Sequence, residues 1–128
     1  MPRYVVLEHE TPAGYARPRH WDLMLETGGA LRTWALDEPP ERVRSGQGEH
    51  SVQGELLRDH RLAYLDYEGP VSGDRGTVVR WDTGEYESEV GAAVMRQGGV
   101  IACVGTHWSG RIELIPGQPH WTFRRLSD

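Results

Sequence analysis

Turn-forming residues interrupt this chain after every short apolar run, and that punctuation limits what it can fold into. The sequence holds 16 Gly and 8 Pro among 128 residues. Glycine opens backbone conformations closed to other residues and proline presets φ, so both mark tight turns between short elements. The runs between them are rich in Val, Leu, Trp and Tyr, which suit a pleated surface. Roughly eight short strands, with turns about every 8–12 residues, describe a small antiparallel barrel or sandwich. A mainly β fold with one or two short helices is expected.

Residues 3–8 read as a first strand that delivers His9 at its end, and 10–19 as a loop containing Pro12, Gly14 and Pro18. Residues 20–26 and 30–36 form a hairpin around the turn 27–29. Residues 37–48, with Pro39-Pro40, read as an exposed excursion, and 51–57 as a fourth strand interrupted by Gly54. Asp59 is a candidate cap for a helical turn, in which His60 and Tyr64, four apart, share one face. Residues 76–81 and 85–87 flank Asp82-Thr83-Gly84 as another hairpin. Residues 89–97 suit a short helix stopped by Gly98-Gly99. Strands follow over 100–104, 111–115 and 120–126.

The length fits one domain over residues 1–128 with a single core. No signal-peptide pattern opens the sequence and no apolar run approaches the roughly 20 residues of a membrane span, so a cytoplasmic protein is expected. Cys103 is the single cysteine. It excludes an intramolecular disulfide and a multi-cysteine zinc site, and its surroundings suit core packing. Net charge is -5, and all 14 basic residues are Arg. The average surface therefore does not favour coating DNA, although a local arginine cluster can hold one phosphate terminus.

The chemistry concentrates in His20-Trp21-Asp22-Leu23-Met24-Leu25-Glu26. On a strand, His20, Asp22, Met24 and Glu26 share one face, while Trp21, Leu23 and Leu25 share the core face. His20 and Asp22 can bind one metal ion, with His9 as a second imidazole. Two imidazoles and a carboxylate leave coordination positions open for Lewis-acid chemistry or activation of water. By spacing alone, a surface His and Asp without a metal remains the alternative. His60 and Tyr64 read equally as a ring pair closing a turn. His50, His107 and His120 read as surface or packing residues, and Glu26 as solvated or salt-bridged. The five tryptophans read as core or rim, with Trp108 also able to stack a base.

The order of motifs resembles the 3'-phosphoesterase domain of bacterial DNA ligase D, a small β-barrel module. The matching pieces are residues 4–9, 20–26, 31–36, 59–69, 76–82 and 109–114, which cover nearly the whole chain in order. The resemblance implies a manganese ion, or another divalent transition metal, on His9, His20 and Asp22. It implies removal of a 3'-terminal ribonucleoside or phosphate from a DNA 3' end or primer-template, with a ligase or polymerase as repair partner. His60 would contact the scissile phosphate and protonate the leaving oxygen, supported by Tyr64. The sequence departs from the family at Met24, where an arginine is usual, at Glu38 in place of a lysine, and at Arg58 in place of a glutamate. It opens on the first strand, so no counterpart of the family's N-terminal arm is expected. A longer loop after His9 brings Arg17 and Arg19 near the site. Either of them, or Arg58, is a candidate phosphate ligand in place of the arginine lost at Met24. A second reading is a catalytically silent binding or partner module, and a third is an iron oxygenase with the same ligand types. Oligomeric state is left open.

Overall fold

The computed structural model describes residues 1–40 and 51–126. Its strands are β1 (Arg3–Glu10), β2 (His20–Thr27), β3 (Ala30–Leu36), β4 (Ser51–Leu56), β5 (Gly69–Pro70), β6 (Thr77–Ser88), β7 (Gly99–Gly105), β8 (Ser109–Ile115) and β9 (His120–Leu126). All pair antiparallel, in the order β1-β2-β3-β4-β9-β8-β7-β6-β5, and a further β1–β6 pairing closes the sheet. The two-residue β5 lies outside the closure. The result is an eight-stranded barrel. One short helix, α1 (Val94–Gln97), and a 3-10 turn at Leu62–Leu65 accompany it. No helix among the described residues is long and apolar enough to cross a membrane.

One apolar cluster takes residues from every barrel strand, including Tyr4, Leu23, Trp34, Val52, Tyr86 and Phe123, and so fills the interior. Cys103 and Trp108 belong to it, which places the thiol in the core and removes Trp108 as a base-stacking platform. A second cluster, Val5, Leu7, Met24, Leu31, Leu65 and Val78, lies on the opposite face of the same strands. Its Leu65 belongs to the 3-10 turn, so the segment leading from β4 to β5 packs over the outside of β1 and β2. This explains why Tyr4-Val5-Val6-Leu7 does not alternate. Every one of the four is 0% exposed because both faces of β1 are covered.

Three sequence expectations change. Residues 76–88 form no hairpin; β6 is one strand through Asp82-Thr83-Gly84, pairing with β1 and β7. Turn-type residues are required there for other reasons. The Asp82 carboxylate accepts from Tyr4 Oη at 2.6 Å and from the His107 backbone N–H at 2.8 Å inside the barrel. A Cβ on Gly84 would meet the Val104 carbonyl oxygen at 2.0 Å. The register shift opposite Val6 and Leu7 leaves Trp81 as the extra residue of a bulge. Asp59 caps no helix, since the 3-10 turn begins after Arg61 with no side-chain cap, and its carboxylate lies 3.9 Å from Arg32. Helix formation over 89–97 contracts to a 3-10 turn at Gly91–Ala93 followed by α1, which stops at Gly98 with φ 74°. Of the excursion expected over 37–48, the part from 41 lies outside the described residues, as does His50.

Candidate metal centre

The barrel register assembles the site. His9 pairs with His20 and Leu7 with Asp22 across β1 and β2, and directly opposed residues of an antiparallel pair point to the same side. That side is the outer one, shared with Leu7 and Met24. One ligand atom each from His9, His20 and Asp22 lies within 4.8 Å of the others. His20 and Asp22 are buried, at 5% and 4% exposure.

Backbone carbonyls decide which nitrogen of each ring is free. His9 Nε2 donates to the Arg75 carbonyl at 2.6 Å, and His20 Nδ1 donates to the Pro18 carbonyl at 2.9 Å. A carbonyl only accepts, so each ring carries its proton there and leaves the other nitrogen as a lone pair. Those free nitrogens face Asp22: His9 Nδ1 is 3.5 Å from Oδ2 and His20 Nε2 is 3.3 Å from Oδ1. Asp22 Oδ1 is buried without a hydrogen-bond partner. Acceptors turned toward one another, one of them an orphaned carboxylate oxygen, fit a divalent cation. In the metal-free protein a proton takes part of that role. The Asp22 carboxylate raises the His9 imidazole above its usual value, against the effect of burial. Burial pushes the Asp22 carboxyl up, but the His20 and His9 imidazoles outweigh it and hold the group below its ordinary range.

A cleft of about 230 Å³ joins this cluster to His60, Tyr64 and Arg17. His60 is held by reciprocal backbone hydrogen bonds with Leu31, both 2.8 Å. Its Nδ1 donates to the Arg58 carbonyl at 2.9 Å, which leaves Nε2 as the free ring nitrogen. Tyr64 meets the His60 ring edge-on at 5.5 Å, and Tyr67 meets Tyr64 at 5.8 Å. A larger recess of about 870 Å³ near Met1, Glu26 and Tyr86 lies elsewhere. It contains no metal-ligating cluster among the described residues.

The arginines expected near the site separate. Arg17 lines the cleft, paired with Glu55 at 2.9 Å. Arg19 pairs with Glu8 and Glu10, lies over the Trp21 ring at 5.2 Å and borders a neighbouring cavity. Arg58 contributes its carbonyl to His60 while its side chain is absent from the cleft lining. Glu26 accepts the Arg3 backbone N–H at 2.9 Å. His107 meets the Trp81 ring edge-on at 4.6 Å and His120 is exposed. Sequence reasoning missed Arg75, which lines the cleft from the turn before β6. The available signal was the glycine pair around Asp74-Arg75, which marks a turn without saying where it lands.

A small antiparallel barrel with a His-His-Asp cluster on its outer face is thus the class defined. Residues 8–115 match the DNA Ligase D 3'-phosphoesterase domain family, and the chain belongs to that family. The multifunctional non-homologous end joining protein LigD of Mycobacterium bovis is 32% identical over 130 residues, 98% of this chain and 16% of that protein. The multifunctional non-homologous end joining DNA repair protein LigD of Mycobacterium tuberculosis matches to the same extent. The LigD of Pseudomonas aeruginosa is 32% identical over 87 residues, 66% of this chain and 9% of that protein. The chain spans 16% or less of the length of these relatives.

Proposed function

We propose that this chain is a metal-dependent phosphoesterase that trims DNA 3' ends, removing a terminal phosphate or ribonucleoside in repair. One observation carries the reading: carbonyls turn the free nitrogens of His9 and His20 onto the two oxygens of the Asp22 carboxylate, one of them orphaned, in a cleft shared with His60. Two imidazoles and a carboxylate suit manganese or another divalent transition ion. Bound there, such an ion supplies Lewis-acid polarisation of a phosphoryl oxygen. His60, in its protonated form, donates Nε2–H to the leaving oxygen while Nδ1–H stays on the Arg58 carbonyl. The Tyr64 edge limits the tilt of that imidazole. The names of the relatives, end-joining repair proteins, support a DNA 3' end or primer-template as substrate and a ligase or polymerase as partner.

The test is manganese binding by calorimetry beside phosphate release from a 3'-phosphorylated primer-template, with His20→Ala as control. Stoichiometric binding and metal-dependent release, both lost in the variant, are expected. Background release with manganese bound and His60 intact would overturn the catalytic reading. The second reading, a silent binding module, is favoured by Met24, which is 1% exposed in the outer apolar cluster. Its thioether can neither pair with a phosphate nor donate to one.

A further inference from the structure

Of the two arginines that line the cleft and that this mechanism leaves unused, Arg17 is paired with Glu55, and Arg75 has no carboxylate partner among the described residues. We propose that the turn 71–76 is an anion-binding subsite, in which the Arg75 guanidinium receives the non-bridging oxygens of a phosphate monoester beside the metal cluster. The ligand class rests on the phosphoesterase reading; the subsite itself rests on how the turn is built.

The turn is tightly specified. Val71 N–H bonds the Gly76 carbonyl at 2.8 Å, and Gly73, Asp74 and Gly76 all hold positive φ, at 74°, 54° and 94°. Asp74 is the one non-glycine residue with positive φ among the described residues, in the left-handed region that aspartate tolerates at turns. A Cβ on Gly76 would stand 1.8 Å from the Glu10 carbonyl oxygen, so the turn is pressed onto the end of β1 beside His9. Two consequences follow from that seat. The Arg75 carbonyl accepts the hydrogen bond from His9 Nε2, and Arg75 is part of the cleft lining.

Two hydrogen bonds to Ser72 pre-position the guanidinium. Nε donates to the Ser72 carbonyl at 2.6 Å and Nη2 to Ser72 Oγ at 3.0 Å. Both acceptors are neutral, and no carboxylate pairs with Arg75 among the described residues. Nη1 and the second Nη2 hydrogen stay available as a planar fork, the geometry that grips phosphate. Arg17, the other arginine of the cleft, is already paired with Glu55. One residue therefore orients a metal ligand through its backbone and offers an anion site through its side chain. The two roles separate by mutation.

The experiment titrates inorganic phosphate into manganese-loaded protein, with manganese affinity measured in parallel. Arg75→Ala is expected to raise the phosphate Kd about tenfold or more while leaving manganese affinity unchanged, because the backbone carbonyl survives. Arg75→Lys should recover part of the loss, since a point charge replaces the fork. Arg96→Ala, at an exposed position on α1, controls for bulk charge and should bind as wild type. Equal phosphate affinity in Arg75→Ala, an equal loss in Arg96→Ala, or no phosphate binding by the wild type would each overturn the subsite. Phosphate release from 3'-phosphorylated DNA is scored separately. Arg75-dependent binding without release would keep the subsite and remove the phosphoesterase reading; release with an unchanged KM in Arg75→Ala would do the reverse.

Discussion

Gly76→Ala tests whether the turn before β6 sets the metal site. An alanine Cβ at this position would lie 1.8 Å from the Glu10 carbonyl oxygen, where real Cβ contacts stay beyond 3.0 Å. Turn and β1 must therefore part by at least about 1.2 Å. Neither side of that contact is a flexible side chain, so backbone has to move. A shift of that size along the bond from His9 Nε2 to the Arg75 carbonyl, now 2.6 Å, takes it to about 3.8 Å, past hydrogen-bond reach. The imidazole then loses what fixes its tautomer and orientation. Loss of such a ligand-orienting partner typically costs about 10–100-fold in metal affinity. The φ of 94°, strained for alanine, adds about 1–3 kcal/mol of destabilisation. Manganese titration of the metal-free protein, beside denaturant unfolding, reads both. A Kd within threefold of wild type, in a protein measurably destabilised, would refute the claim that the Arg75 carbonyl organises His9.

Leu65→Ala removes the 4% exposed side chain that holds the segment carrying His60 against β1 and β2. It should cost about 2–5 kcal/mol in urea unfolding; a loss below about 1 kcal/mol would show that the segment is held otherwise. Manganese affinity should rise with pH, by up to about tenfold per unit, until His9, whose value is raised by Asp22, has lost its Nδ1 proton. Calorimetry across pH 5–9 checks this, and a flat profile would contradict it. In the metal-free protein the same pair gives a stability window. The His9 contribution is complete below its ordinary 6.5 and lost as pH rises through its raised folded value. The Asp22 contribution is complete above its ordinary 3.8 and lost as pH falls through its lowered folded value. Met24→Arg puts a longer, charged side chain at a 1% exposed position that borders the cleft. It should lower stability by about 1–3 kcal/mol and tighten inorganic phosphate binding, and unchanged phosphate affinity would show that the new head does not reach the cleft.

Much of the barrel was legible because period-2 alternation survives wherever one face is buried and the other is not. β4 is the clearest case, with Val52 buried between exposed Ser51 and Gln53, while β2 keeps the pattern in polarity alone, Leu23 and Leu25 inward and His20 and Asp22 outward. β1 gives no alternation, since a second cluster covers its outer face. β6 was misread because local composition is ambiguous: Asp82-Thr83-Gly84 has turn chemistry, yet Asp82 satisfies hydrogen bonds from Tyr4 and His107 across the barrel. His9, His20 and Asp22 could be grouped from the sequence because two adjacent strands carry them. Arg75 could not, for its contact with His9 spans 66 positions and depends on how a glycine turn packs. The same limit separates Arg17, which reaches the cleft, from Arg19, which neighbouring glutamates hold aside.

The two faces of β1 and β2 divide stability from chemistry, and that division explains how the site tolerates an apolar residue on the chemical face. The inner face belongs to a core drawn from all eight barrel strands. The outer face is closed by one segment of the chain, which brings its own apolar residue, Leu65, and its own polar ones, His60 and Tyr64. Met24 strengthens the apolar part of that seal at the expense of a cation. A chain of net charge -5 does not gather DNA through its overall field, so the proposed function calls for local selection. A terminal phosphate carries close to two negative charges near neutral pH, and a diester one. On the proposed phosphoesterase reading, a terminal phosphate, with its larger charge, binds a cation on the His-His-Asp cluster and the Arg75 guanidinium more strongly than a diester does. Under that reading, local charge at the cleft favours a phosphate monoester end without any requirement for a basic surface.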